Sequence, residues 1–97
     1  MRVIAKKALR DFWEKYPDSQ EPLENWYTEA VRADWSTPQQ IKDKFRNVSI
    51  IGDNRVVFNI KGNDYRLIVK LNYPHRLIYI RFVGTHRQYD AVEATKI

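Results

Sequence analysis

The sequence has 97 residues, of which 43% are hydrophobic, and it carries 17 Lys and Arg against 12 Asp and Glu. This length predicts a single domain over residues 1–97, just large enough to bury one core. Cysteine is absent, which excludes a disulfide framework and thiolate chemistry, and no apolar run approaches the roughly 20 residues of a membrane span. We therefore expect a cytoplasmic protein with no membrane partner.

The excess of positive charge lies entirely in the second half of the chain. Residues 1–45 hold eight cations and eight carboxylates, whereas residues 46–97 hold nine cations and four carboxylates, a balance of +5. A localised basic surface is the electrostatic footprint expected of a nucleic-acid-binding protein. Cations on a solvated face also serve solubility alone, so charge by itself leaves both interpretations open.

The first half of the chain predicts a short strand followed by helices. Residues 1–5 have β-branched residues at their centre, which favours a strand. Apolar residues at helical spacing follow and predict a helix that Pro17 ends. Asp18 or Ser19 is then expected to cap a second helix. The apolar stripe of this second helix is predicted to pack in the core: Leu23, Trp26, Tyr27, Ala30 and Val31.

A third, short helix is predicted to begin after Thr37. Threonine at the N-cap, Pro38 at the first helical position and Gln40 two residues later fit a capping box. Ile41 and Phe45 are expected to point inward from this helix. Three N-terminal helical segments are therefore available to cover one face of a sheet.

The second half of the chain predicts strands. Apolar and polar residues alternate over residues 48–51, 55–61, 65–72 and 77–83, and Gly, Asn, Asp and Pro interrupt the alternation between these segments. The order β-α-α-(α)-β-β-β-β predicts an α+β domain with its N-terminal helices packed on one face of a mostly antiparallel sheet. Residues 87–97 could hold a helical turn, and we expect mobility near their end.

The alternation predicts two different faces for this sheet. One face is apolar and is expected to include Phe82. The opposite face is expected to include Val83 and Tyr79 together with five cations and no carboxylate, because successive side chains of a strand point to opposite sides. The five cations are Arg55, Lys61, Arg66, Lys70 and Arg81.

The residue inventory does not indicate a metal or nucleotide cofactor. Two histidines and no cysteines form no recognisable ligand cluster, and the three glycines are isolated, unlike those of a phosphate-binding loop. We therefore expect neither a metal nor another cofactor.

Chemistry is instead indicated just after the last predicted strand, where His86 precedes Tyr89 by three residues. An imidazole can exchange a proton near neutral pH, and a phenol can donate or accept a hydrogen bond. RNA can be cleaved without metal when its 2′-OH attacks the adjacent phosphorus. That reaction needs a proton acceptor, cations for the phosphorane charge and a donor for the leaving 5′-oxygen.

Several separated segments carry a family resemblance that covers nearly the whole chain. They are residues 52–67 (GDNRVVFNIKGNDYRL), 80–86 (IRFVGTH), 89–90 (YD), 1–4 (MRVI), 12–13 (FW) and 26–27 (WY). In these segments the sequence resembles the HigB family of toxins from bacterial toxin-antitoxin pairs.

The resemblance implies a RelE-like fold and an mRNA endonuclease that acts on messages being translated by the ribosome. It also implies a partner, a HigA-like antitoxin with a helix-turn-helix domain. Operator DNA would be bound only through the toxin-antitoxin complex, which would repress its own operon.

The resemblance and the basic face together suggest catalytic roles for five residues. His86 is predicted to be the general base or acid. Lys61, Arg66 and Arg81 are predicted to hold the phosphate and offset its developing charge, and Tyr89 to orient or stack on a base.

Three further residues are predicted to bind RNA: Arg55, Asn59 and Lys70. Tyr65 matches the family pattern but lies on the apolar side of its strand, so a core role is an equal alternative. Two other functions remain open at this point. One is a ParE-like toxin that acts on DNA gyrase without nuclease activity, and the other is a plain RNA-binding module that leaves RNA uncut.

Overall fold

The computed structural model describes residues 1–97 and orders the elements as β1-α1-α2-α3-β2-β3-β4-β5-α4, with a 3₁₀ turn at Pro17–Ser19 between the first two helices. The strands are β1 (Arg2–Ile4), β2 (Val48–Ile51), β3 (Arg55–Ile60), β4 (Tyr65–Asn72) and β5 (Leu77–Thr85). The helices are α1 (Lys6–Lys15), α2 (Gln20–Arg32), α3 (Pro38–Lys44) and α4 (His86–Asp90). None of them is long and apolar enough to cross a membrane.

The five strands form one sheet in the order β1-β5-β4-β3-β2. Strands β2 to β5 pair antiparallel with their neighbours, and only β1 pairs parallel, with β5. Three residues, Gly52 to Asn54, join β2 to β3; φ is positive at Asp53 and Asn54, and the Arg55 amide donates to the Gly52 carbonyl across the turn. The predicted α+β class and mostly antiparallel sheet are confirmed, and the arrangement is consistent with a RelE-like fold.

The helices cover one face of the sheet, which we call the inner face. Leu9 of α1 and Leu23 of α2 are fully buried against it. The ring centroid of Phe58 in β3 lies 5.4 Å from that of Trp26 and 5.0 Å from that of Phe45. Because alternate residues of β3 and β4 point inward, these aromatic rings complete a single core.

Details of the helix ends and of the predicted core differ from the sequence-based expectation. The 3₁₀ turn runs directly into α2, and neither Asp18 nor Ser19 caps that helix with its side chain. The Ser19 hydroxyl instead donates to the Tyr16 carbonyl at 2.7 Å. Val31 was predicted to be in the core but is 43% exposed. Thr37 accepts from the Gln40 amide as predicted, whereas the Gln40 side chain accepts from Ser36.

A β-bulge in β5 reverses the predicted faces of Phe82 and Val83. Val69 pairs with Ile80 and Ile68 pairs with Phe82, so Arg81 is an extra residue opposite β4. The alternation shifts by one residue after the bulge. Phe82 therefore lies on the face away from the helices, and Val83 packs against the core.

The face away from the helices, which we call the outer face, is organised in three rows across β3, β4 and β5. The rows follow from the strand register: Arg55, Lys70 and Tyr79; then Val57, Ile68 and Phe82; then Asn59, Arg66 and Gly84. The first and third rows are polar or cationic. The apolar middle row separates them, and the sheet therefore offers two distinct polar regions.

The C-terminal segment, residues 91–97, reaches the middle of the outer face. The main-chain oxygen of Ile97 accepts from Arg55 Nε at 3.0 Å and from Arg81 Nε at 3.3 Å. Val57 and Ile68 are buried on this face although no helix α1 to α3 covers it. Two arginines of the sheet thus hydrogen-bond the end of residues 87–97, near which mobility is expected.

Candidate functional site

Helix α4 places His86 at the end of β5, next to the turn between β3 and β4. Thr85 is its N-cap, and its hydroxyl accepts from the Gln88 amide at 3.1 Å while the Gln88 side chain accepts from the Thr85 amide at 2.9 Å. This reciprocal capping box fixes the first turn of a helix only five residues long. The His86 amide also donates to the Asp64 carbonyl at 3.1 Å, which ties the helix to the neighbouring turn.

Four side chains from β4 and α4 come together here, and we call them the His86 cluster: Arg66, His86, Tyr89 and Asp90. Arg66 Nη2 lies 3.4 Å from His86 Nδ1, and the guanidinium carbon lies 5.5 Å from the centroid of the Tyr89 ring. His86 Nε2 lies 3.5 Å from Asp90 Oδ1. The cluster therefore combines a cation, an imidazole and a stacking surface on an exposed part of the outer face.

The partners of His86 indicate which ring nitrogen carries its proton. A guanidinium can only donate hydrogen bonds, so Nδ1 is the acceptor in its contact with Arg66. The proton of the neutral ring is then assigned to Nε2, which faces the Asp90 carboxylate. In this tautomer Asp90 orients the ring, and Nδ1 offers a lone pair to a proton.

Asn59 and Gly84 flank Arg66 in the third row of the outer face. Asn59 on β3 is paired with Arg66, and its side chain is exposed. Gly84 on β5 is paired with Arg66 from the other side and carries no side chain that could cover the guanidinium. The predicted RNA-binding residue Asn59 thus lies beside the His86 cluster.

Lys61 occupies a different position from the one predicted. Its φ of +52° takes it out of the strand alternation, and its ammonium lies 2.6 Å from Asp18 Oδ2 and 3.6 Å from Asp64 Oδ2. Tyr65 donates to the other Asp18 oxygen at 2.5 Å. Lys61 and Tyr65 therefore belong to an ion-paired clamp with the 3₁₀ turn, and no hydrogen bond or ion pair joins either side chain to that of His86 or Arg66.

Hydrogen bonding shifts the titration of all three members of this clamp. The pKa of Asp18 is lowered, first by the hydrogen bond from Lys61 and then by that from Tyr65. The hydrogen bond to Asp18 raises the pKa of Lys61. The same carboxylate, followed by burial of the phenol, raises the pKa of Tyr65 to about 12. The clamp is thus favoured when Asp18 is ionised.

Asp18→Asn is expected to flatten the pH dependence of stability in acid. Because the pKa of folded Asp18 lies below its ordinary 3.8, the stabilisation is present above that value and is lost as the pH falls through the folded pKa. Urea unfolding between about pH 6 and pH 2 should show a steeper loss of stability for the parent than for the variant.

Asp11→Asn is the matched control, because Asp11 forms an exposed pair with Lys7 at 2.7 Å within α1. An exposed helical pair of this kind contributes little to stability. Equal acid slopes for the parent and Asp18→Asn would show that the clamp does not stabilise the fold.

Arg55 is also placed differently from its predicted role in RNA binding. Only 6% of the residue is exposed, and its guanidinium lies 2.5 Å from Asp53 Oδ2 while Nε donates to Ile97. A buried and paired guanidinium has no surface to offer to RNA. We assign Arg55 to support of the C-terminal segment instead.

Arg81 and Lys70 lie at the other end of the outer face from His86. Arg81 was predicted to join the catalytic group, but the bulge places it between the first and second rows, where it lines a cleft with Lys70 and Tyr79. The structure therefore brings together three of the five predicted catalytic residues, namely Arg66, His86 and Tyr89. No group of three or more His, Cys, Asp or Glu side chains is placed to hold a metal ion.

Comparison with known proteins identifies the family. Residues 19–92 match the family model for HigB toxins, described as the RelE-like toxic component of a toxin-antitoxin system. The chain belongs to the HigB family of toxins. The matched range contains β2 to β5 and α4, and so includes every residue of the His86 cluster.

Relatives that match almost the whole chain are named as HigB mRNA interferases. The chain is 33% identical over 101 residues to a protein of Escherichia coli K12 named mRNA interferase toxin HigB, with 99% of this chain and 97% of the relative covered. A Shigella flexneri protein named mRNA interferase HigB has the same identity and coverage. A protein of that name from Escherichia coli O6:H1 is 25% identical over 92 residues, covering 93% of this chain and 89% of the relative.

Two residues of this HigB-family chain have positions that sequence reasoning did not assign. Asp90 matches the family pattern, and its spacing of four residues from His86 predicts a shared helix face, which was a usable signal. Asp18 gave no such signal, since it lies 43 residues from Lys61 in the chain and meets it only through the fold.

Proposed function

We propose that this chain is a ribosome-dependent mRNA interferase, a metal-independent endoribonuclease that cuts messages during translation and so inhibits growth. Family membership supports a toxin of a toxin-antitoxin system. The names of the relatives support mRNA as the target. The observation that carries the proposal is the exposed contact of His86 with Arg66 beneath the Tyr89 ring.

The cluster has the groups that internal cleavage of RNA needs. His86 Nδ1 takes the proton of the 2′-OH, and the 2′-oxygen attacks the adjacent phosphorus. Arg66 turns from Nδ1 to the phosphate and offsets the charge that develops on its oxygens. The bond from phosphorus to the 5′-oxygen breaks, and that oxygen takes a proton from the Tyr89 hydroxyl or from solvent. The products are a 2′,3′-cyclic phosphate and a 5′-hydroxyl end.

Asp90 and Asn59 support this chemistry without taking part in bond changes. Asp90 faces Nε2 and stabilises the imidazolium that forms when Nδ1 is protonated. Asn59 lies beside Arg66 and can hydrogen-bond the RNA backbone, while Tyr89 offers a face on which a base can stack. The ribosome would hold the message so that the 2′-oxygen is aligned with the adjacent phosphorus, because the rate of this reaction depends on that alignment.

Partners follow from the family. A toxin-antitoxin system contains an antitoxin, and we propose a HigA-like helix-turn-helix protein through which operator DNA is bound. The ribosome and the translated message are the other partners, which places the activity in the cytoplasm.

Primer extension on a defined message tests the proposal. Purified protein is incubated with the message in the presence and absence of translating ribosomes. Cuts that require translation and fall in register with codons would support the mRNA interferase. A folded protein that binds RNA and makes no cuts would overturn it, and gyrase-dependent DNA breaks in cells would then support the ParE-like alternative.

Arg66→Ala is expected to slow this cleavage by roughly 10²–10³-fold, because it removes the donor that offsets the charge on the phosphorane. Arg10→Ala removes an exposed arginine from α1, far from the outer face, and serves as the matched control. The measurement is the single-turnover rate of cutting on stalled ribosomes. Equal rates for the two variants would exclude Arg66 from the site.

A further inference from the structure

We propose that the cleft at the opposite end of the outer face from His86 is a second RNA subsite, which binds another nucleotide of the strand being cut. The cleft has a volume of about 450 Å³. Its walls include Lys70, Tyr73, Tyr79 and Arg81. This inference rests on the proposed function, because it takes the same RNA as the ligand and extends its binding site along the outer face.

The walls of the cleft have the chemistry that single-stranded RNA requires. Tyr73 and Tyr79 are half-buried, so their rings are held in place yet remain accessible for stacking on a base. Arg81 is exposed, and it uses Nε for its hydrogen bond to Ile97, which leaves its terminal nitrogens free for a phosphate. Aromatic rings beside cations are the usual combination for binding unpaired nucleotides.

The side-chain carboxylate beside Lys70, that of Asp53, does not neutralise the cleft. Asp53 Oδ2 lies 2.5 Å from Arg55 Nη1 but 4.0 Å from Lys70 Nζ. The hydrogen bond from Arg55 is the main reason that the pKa of Asp53 is lowered, so its charge is already matched by a buried cation. Lys70 therefore keeps its positive charge in the cleft, and no side-chain carboxylate pairs with Arg81, which donates to the main-chain oxygen of Ile97.

The distance between the cleft and the His86 cluster suits one continuous strand. Arg66 and Lys70 lie on the same face of β4 and are four residues apart, which corresponds to about 14 Å. At about 3.4 Å per stacked nucleotide, this straight-line distance corresponds to about four nucleotides. Val57 and Ile68 of the middle row are buried, so the strand passes beside the C-terminal segment that crosses this face and does not lie directly on the row.

Binding measurements test the subsite without cleavage. Fluorescence anisotropy with 2′-O-methyl oligoribonucleotides, which lack the attacking hydroxyl, compares lengths of about three and about six nucleotides. The parent protein should bind the longer RNA about tenfold more tightly, because only that RNA spans both sites. Tyr79→Ala should weaken binding of the longer RNA by about tenfold and so bring the two affinities together.

Two matched variants distinguish base stacking on Tyr79 from a role of its hydroxyl and from a general loss of positive charge. Tyr79→Phe keeps a ring and should recover most of the loss, whereas a role limited to the phenol hydroxyl would leave it as weak as Tyr79→Ala. Lys6→Gln removes a cation whose ammonium sits over the Tyr27 ring at 4.3 Å in the helical layer, and it should bind as the parent does. Circular dichroism confirms that each variant is folded.

The outcomes for the subsite and for the nuclease are distinguishable. A protein that cuts translated message but binds both lengths equally would overturn the subsite alone, as would an unchanged affinity in Tyr79→Ala. Equal affinities together with binding of an antitoxin peptide in the cleft would reassign it to that partner. Length-dependent binding that requires Tyr79 would support the subsite even if no cut were found, and that result would overturn the nuclease instead.

Discussion

His86→Ala is expected to reduce cleavage of translated message by roughly 10²–10⁴-fold, the usual contribution of a positioned general base. In the proposed mechanism the imidazole takes the 2′-OH proton through Nδ1 while Asp90 faces its other nitrogen. Its side chain is 46% exposed and its contacts with Arg66 and Asp90 are long, so its removal should hardly change stability. In cells the same variant should no longer arrest growth.

His75→Ala is the matched control for this experiment. His75 is the other histidine of the chain, and it is exposed in the turn between β4 and β5, at the far end of the sheet from α4. Single-turnover cutting on stalled ribosomes is measured for both variants, with thermal unfolding to check the fold. If the two variants cut at the same rate, His86 is not the base and the proposed mechanism is wrong.

The sequence pattern of the strands predicted most of the fold, because apolar residues at alternate positions indicate which face of each strand is buried. The alternation over residues 55–61 and 65–72 puts Phe58 and Leu67 on the apolar face of their strands, and both are buried in the core. The bulge at Arg81 could not be predicted in this way, since an extra residue leaves the local alternation of apolar residues intact and changes only the register with β4. This single residue turned Phe82 and Val83 to the faces opposite those expected.

The structure brings some of the predicted site residues together and keeps others apart, and the reason lies in the partners that hold each side chain. Arg66 and Tyr89 belong to regular elements, so pattern and family resemblance located them correctly relative to His86. Lys61 and Arg55 were misplaced because their partners, Asp18 and Ile97, are distant in sequence. Whether a cation faces solvent depends on such partners, which composition and spacing do not indicate.

Gly84→Ala is expected both to destabilise the protein and to displace helix α4. A Cβ at this position would lie 2.5 Å from Phe82 Cζ and 2.8 Å from Gln88 Oε1. The first contact forces the ring to move, and such overpacking costs about 1–3 kcal/mol. The second contact is with the Gln88 side chain, which accepts from the Thr85 amide in the capping box. The first turn of α4, which carries His86, should therefore shift as well.

Gly52→Ala is the matched control, because nothing lies within 4 Å of the Cβ that it would add and Gly52 is not among the residues with positive φ. Chemical unfolding and the rate of cutting are measured for both variants. Phe82→Leu added to Gly84→Ala removes the aromatic atoms that meet the new methyl group, and it should recover part of both losses. A Gly84→Ala protein as stable and as active as Gly52→Ala would show that α4 tolerates repacking at its base, and that the capping box does not determine where His86 lies.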